Sequence, residues 1–255
     1  MKKKIFISGL ILLLFFGIYL DITKEYLFYA DKKPAMEFIK NIRNEANYES
    51  LTTGITFGNE NIANFKQKCE QEGNVKIIFW GQSITKQIDV SEFEKHLQNI
   101  YKDTHFEIIN NARGGCSASC LNGKEDWAYD DIGPCEYATL DILPESPDLI
   151  IFHVLGNHRD YKQIIKTLRR SSDADIAIWN DHIWDNDEDS WSNMMSYKFL
   201  PHIAEQYKLF FIDIRTPWIQ YLTETNIDKS ELLADEIHLN TKGIELLTTI
   251  LNANF

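Results

Sequence analysis

The sequence predicts a three-layer α/β/α domain built on a parallel sheet of about five strands. Three observations carry this. Short apolar runs recur between Val75 and Asp213, helical patterns separate most of them, and each run stops at polar residues or glycine. Continuous apolar runs suit strands buried on both faces, and their alternation with helices is the pattern of a parallel sheet covered on both sides.

Val75–Trp80 is the first such run. Gly81-Gln82 breaks it, and a helical pattern follows through Tyr101. Phe106–Ile109 is the second strand and stops at Asn110-Asn111. Leu149–Val154 is the third and gives way to Leu155-Gly156-Asn157. Asp175–Trp179, ending at Asn180-Asp181, is the fourth, and Leu209–Asp213 is the fifth. Helices are expected over about 161–170, 190–207 and 241–252. In open parallel sheets, polar residues just past the strand ends line the binding cleft. That rule singles out Ser83, Gly115, Asn157, Asp181 and the segment Asp235–His238.

Composition narrows the function. The 255 residues include 44% hydrophobic residues, six Trp and fifteen Phe, which suits a packed core. The formal net charge of -12 argues against a phosphate-tracking groove, which needs clustered Lys and Arg, so no nucleic-acid partner is expected. At the N-terminus, Lys2, Lys3 and Lys4 precede the apolar run Ile5–Leu20. Its length lies between a signal peptide's apolar region and a spanning helix. The best cleavage site, after Ala30, has the bulky Phe28 at its −3 position. The expectation is an uncleaved signal anchor over residues 1–20 that attaches the chain to the membrane. A juxtamembrane stalk over 21–60 follows, with a helix from Pro34 to Ala46, and then an extracytoplasmic domain over 61–255. Secretion after cleavage is the alternative. Of the four cysteines, none has a zinc-ligand spacing. In an exported domain Cys120 with Cys135 closes a short loop, Cys116 is the rival partner, and Cys69 sits on a helix.

A serine hydroxyl needs a base to take its proton, a carboxylate to orient that base, and fixed donors for the oxyanion. Ser83 follows the first strand in Gly81-Gln82-Ser83, and Asp235-Glu236-Ile237-His238 precedes the last helix. Three residues separate Asp235 from His238, so one turn brings both side chains to one mouth; Asn240 or Thr241 caps the helix that follows. Asn110-Asn111-Ala112-Arg113-Gly114-Gly115-Cys116-Ser117 and Val154-Leu155-Gly156-Asn157-His158 lie between them. Together, and in this order, the four blocks resemble those of the SGNH/GDSL hydrolase superfamily, over about Val75 to Phe255. Gln82 stands where that family usually has Asp, and Ala112 where a glycine is common.

The resemblance implies an SGNH hydrolase fold with strands in flavodoxin-like order. It implies Ser83 as nucleophile, His238 as base, Asp235 as its orienting acid, and an oxyanion hole from the amides of Ser83 and Gly115 with the Asn157 side chain. The doubled Gly114-Gly115 leaves either glycine to supply the amide, with Gly115 favoured. No metal or organic cofactor is expected. The implied activity is a serine esterase acting on short acyl esters, acetyl above all, on an acylated glycan or a small ester. An O-acyltransferase for surface polysaccharide and a glycan-binding pseudoenzyme are the alternatives.

Other features have competing readings. Gly156-Asn157-His158 also resembles a metallophosphoesterase block, but the Asp-x-His those enzymes carry after the first strand is missing. Asp185-x-Asp187-x-Asp189 resembles half a calcium loop without its Gly and Glu. Trp127, Tyr129, Trp184 and Trp191 fall near the expected cleft rim, where they stack on sugar rings or simply pack. His158, Asp181, His182 and Trp184 are candidate substrate contacts.

Overall fold

A computed structural model describes residues 56–71, 73–122, 146–156, 158–184 and 195–255, with His158 described by its backbone alone. The apolar run Ile5–Leu20, the stalk helix, the acidic run at 185–189, and Trp127, Tyr129 and Trp191 lie outside the described residues. Among the described residues no helix is long and apolar enough to cross a membrane.

Five parallel strands form one sheet: β1 (Asn74–Gly81), β2 (His105–Asn110), β3 (Leu149–His153), β4 (Asp175–Trp179) and β5 (Phe210–Ile212). Their spatial order is β2-β1-β3-β4-β5, the flavodoxin-like order the sequence led us to expect. Phe57 exchanges two backbone hydrogen bonds with Phe211 at 3.1 and 2.9 Å, adding a short antiparallel bridge beside β5.

The period of two along each strand divides the core. Val75, Ile77 and Phe79 of β1 face one layer with Leu149, Ile151, Ala177 and Trp179. That layer is closed by α1 (Ala63–Glu70), α3 (Val90–Ile100) and α8 (Thr241–Asn252), through Phe65, Phe93, Leu97, Leu247 and Leu251. Ile78 and Trp80 face the other layer with Ile150, Phe152, Ile176 and Ile178. There α5 (His158–Ser171) and α6 (Leu200–Tyr207) cover the sheet with Tyr161, Ile164, Leu168, Ile203 and Ala204. Both faces are therefore apolar, which is why the strands read as continuous hydrophobic runs rather than as alternating ones.

The structure divides two of the expected helices. The pattern read through Tyr101 is two helices, α2 (Ser83–Lys86) and α3. Asp89 separates them, its side chain accepting from the amides of Ser91 and Glu92 at 3.1 and 3.2 Å as an N-cap. The segment read as 190–207 enters α6 from a π-helical turn, Met195–Phe199, and Pro201 sits in the first turn of α6, where a missing N–H costs nothing. Helix α7 (Arg215–Thr225) was not expected. It buries Arg215, Thr216 and Trp218 and has no apolar stripe to announce it. A short helix, α4 (Ala118–Leu121), was also missed; Ser117 caps it by accepting from the Cys120 amide at 3.3 Å.

Of the rival cysteines, Cys116 is the one in a disulfide, with its partner outside the described residues. Cys120 keeps its thiol. Cys69 is buried in α1; burial first, then the nearby Asp148 and Glu70, pushes its thiol up to about 12, so it is inert at neutral pH.

Candidate active site

The four sequence blocks meet at the carboxyl ends of the strands. Gly81 ends β1 directly opposite His153 of β3. A Cβ on Gly81 would lie 1.8 Å from the His153 carbonyl oxygen, so only glycine lets the two strand ends close. Thr85, on the turn after Ser83, donates its hydroxyl to that same carbonyl at 3.1 Å. The half-buried Ser83 opens α2 at this point, after an extended Gln82.

The second block joins the first through its backbone and through Asn110. The Asn111 and Arg113 amides bond to the Phe79 and Gly81 carbonyls at 2.8 and 2.9 Å, extending the β1–β2 pairing. The Asn110 side chain donates to the Thr85 carbonyl at 3.0 Å and accepts from the Ala112 amide at 3.2 Å. Gly115 has φ 75°, a left-handed conformation that L-residues disfavour, whereas Gly114 is outside that region and has open space around it. The special backbone position is therefore residue 115. The third block docks on the second where the Ala118 amide donates to the Leu155 carbonyl at 2.8 Å. Asn157 itself lies outside the described residues, and of His158 only its place at the start of α5 is described.

The last block is a tight loop. Leu233 and Leu239 form an antiparallel bridge, and the Ala234 amide bonds to the His238 carbonyl at 2.7 Å. Asp235 folds back over the loop: Oδ1 accepts from the Ile237 and His238 amides at 2.8 and 2.7 Å, and Oδ2 lies 2.8 Å from His238 Nδ1. The His238 amide, the Ile237 amide and the His238 ring together hold the Asp235 carboxyl down at about 2. An ionised carboxylate only accepts, so Nδ1 of His238 carries the proton and Nε2 is left as the basic atom. Asn240 caps α8 by accepting from the Gly243 amide at 3.1 Å. The loop is joined to the turn that begins at Ser83 by Gln87, whose side chain bonds both the carbonyl and the amide of Leu239, at 2.9 and 3.1 Å.

No protein-family model and no curated protein matches the chain in sequence. Solved structures do match in fold. A two-domain esterase active on acetylated mannans, co-crystallised with mannopentaose, superposes with a TM-score of 0.59 at 14% identity, covering 76% of this chain and 53% of that one. This chain thus spans about half the length of that protein. An acetylxylan esterase from Geobacillus stearothermophilus superposes with a TM-score of 0.55 at 15% identity, covering 72% of this chain and 95% of that one. An α/β hydrolase from the metagenome of Lake Arreo, Spain, gives 0.52 at 14%, covering 71% and 94%. The fold is that of the SGNH hydrolases.

On this SGNH scaffold the residues after β4 turn inward. Asp181 is 4% exposed and its Oδ1 lies 2.6 Å from Nε2 of His153, which is wholly buried. The contact is short but off the line of a good hydrogen bond. Burial pushes the Asp181 carboxyl up, but His153, then His182 and Arg215, outweigh it and hold it below the usual range. The His153 ring also stacks on Trp179 at 4.0 Å. His182 is buried too; burial drives its pKa down to about 4, so it is neutral, and its Nε2 donates to the Ile237 carbonyl at 2.9 Å. Trp184 is half-buried, 6.3 Å edge-on from the His182 ring. Arg215 donates to the His182 carbonyl at 2.9 Å. Asn180 accepts from the Ile214 and Arg215 amides at 2.7 and 3.1 Å and donates to Asp213 at 2.8 Å, fixing the end of β4 against α7.

Sequence reasoning did not single out Gln87, His153 or Arg215. For His153 a signal existed, since it ends an otherwise apolar strand. Gln87 had none, because its partner is 152 residues away.

Proposed function

We propose that this chain is a serine esterase that removes short acyl groups, acetyl above all, from carbohydrate through an acyl-Ser83 intermediate. The observation that carries this reading is the Gln87–Leu239 pairing. It brings a loop with an intact Asp–His dyad to the turn that opens with a serine. The fold shared with esterases active on acetylated mannan and xylan supports the choice of acylated glycan as substrate.

In this mechanism Oγ of Ser83 attacks the acyl carbonyl carbon while Nε2 of His238 takes its proton. The oxyanion is met by the amides of Ser83 and Gly115 and the side chain of Asn157, the last assigned from its motif. Collapse breaks the bond to the sugar oxygen, which leaves with the proton from His238. Water then repeats the sequence on the acyl-enzyme, releasing the acid and restoring Ser83. Asp235 holds the imidazole in the productive tautomer throughout. Attachment through residues 1–20 and an external active site belong to the same proposal, and rest on Lys2–Lys4 and the apolar run Ile5–Leu20.

The test is hydrolysis of acyl esters of graded length, and of acetylated xylan and mannan, by the full-length chain beside Ser83→Ala. The expected result is a steep preference for acetyl and a loss of about 10⁴–10⁶ in turnover in the variant. Equal activity in the two proteins would refute the assignment.

A further inference from the structure

We propose that Gln87 is a positioning residue that sets the placement of His238 against Ser83, an inference that rests on the roles just proposed for those two residues. The loop carrying His238 takes its shape from its own bonds: Asp235 to the amides of residues 237 and 238, and Ala234 to the His238 carbonyl. Those bonds fix how the imidazole meets the carboxylate. They do not fix where the loop stands relative to the nucleophile.

Gln87 supplies that relation. Its own amide bonds to the carbonyls of Ser83 and Ile84, at 3.2 and 3.1 Å, so its backbone belongs to the nucleophile turn. Its side chain uses the amide nitrogen and the amide oxygen together, on the carbonyl and the N–H of the residue directly after His238. A primary amide is a neutral group that donates and accepts as a peptide does, so it pairs with Leu239 as a strand neighbour would. On the other side of His238, the neutral, buried His182 holds the Ile237 carbonyl. Residue 238 is thus gripped through both of its neighbours, and its side chain remains 41% exposed to meet substrate. Displacing a reacting group by about 1 Å costs roughly a hundredfold in rate, so a loop of correct shape in a shifted place is a poor base.

The experiment measures the rate of covalent labelling by a fluorophosphonate probe, per folded full-length protein, together with kcat and KM for an acetyl ester. Gln87→Ala is expected to slow labelling and lower kcat by about 10–100-fold with KM within about twofold. Gln87→Met keeps the shape without either hydrogen bond and is expected to be as slow as the alanine variant. Recovery of the rate in Gln87→Met would mean that packing, not the amide pairing, matters, and would overturn the proposal. In a His238→Ala background, Gln87→Ala should produce no further loss, because it acts through the imidazole. An additive loss there, with labelling still dependent on Ser83, would overturn this proposal alone. Labelling that survives Ser83→Ala would overturn the functional reading and this inference with it.

Discussion

Two Asp–His pairs stand at the same end of the sheet, Asp235 with His238 and Asp181 with His153, in opposite surroundings. The first pair is open to solvent, with side chains 57% and 41% exposed, and the second is sealed, at 5% and 0%. Both carboxyls are held below their usual range, but for different reasons. Asp235 is held by backbone amides first and its histidine after them; Asp181 is held by His153, His182 and Arg215 against the opposing effect of burial. The same two side chains therefore stand open to solvent in one place, where we propose that they act on substrate, and sealed as a strut in the other. What separates the roles is access: the His153 ring is stacked on Trp179 and covered, so no substrate can use its second nitrogen.

The largest expected effect separates the pairs by activity. His238→Ala should lower turnover by about 10⁴–10⁶ and leave the thermal midpoint nearly unchanged, as measured by ester hydrolysis beside calorimetry. Asp235→Ala should follow, at about 10²–10⁴ in kcat as expected of its proposed orienting role, with some loss of stability as well, since its carboxylate also holds the Ile237 and His238 amides. The buried pair should behave in reverse. His153→Phe removes the imidazole that lies 2.6 Å from the Asp181 carboxylate. It should cost about 3 kcal/mol, the low end for breaking a buried pair, seen as a drop of about 6–12 °C in Tm. The labelling rate per folded molecule should fall far less. A His153→Phe protein of wild-type stability would erase the distinction.

The smallest effect is graded with pH. His182 is depressed to about 4 when folded, against about 6.5 unfolded, so between those values the unfolded chain binds the extra proton. Its contribution is complete above about pH 6.5 and is lost as pH falls toward 4, a decline on the order of 2–3 kcal/mol. Asp235, depressed to about 2, acts in a separate and lower window, losing its contribution as pH falls from about 4 to 2. Urea midpoints from pH 8 to 3 should show the upper decline in the wild type and a flatter curve in His182→Asn. Equal slopes in the two proteins would contradict the neutral, buried assignment.

Much of this site was legible beforehand because its parts are local. Ser83 after a strand, Asp235 three residues before His238, and Asn240 as a helix cap all depend on bonds within a turn, and the structure shows the Asp–His bond and the Asn240 cap. Asp181 read as a cleft residue because it follows a strand; the structure turns it inward to His153. Strand-end position says which rim a residue occupies but not whether its side chain points out to solvent or back toward the neighbouring strand. Helix α7 escaped notice for a similar reason, since Arg215 and Thr216 are buried by the network at the end of β4 rather than by an apolar stripe.

The chain by itself determined the alternation of buried strands and covering helices, the order of four site segments, and the inner geometry of the Asp235–His238 loop. These follow from periodicity and from hydrogen bonds between near neighbours, which any window of a few residues contains. Only the tertiary structure decided that Gly115 rather than Gly114 takes the left-handed conformation, that Gln87 reaches Leu239, and that His153 closes on Asp181. Those contacts join residues far apart in the chain or depend on how adjoining loops stack. They exist because the parallel sheet sets β1 beside β3 and β3 beside β4, bringing their carboxyl ends to one rim.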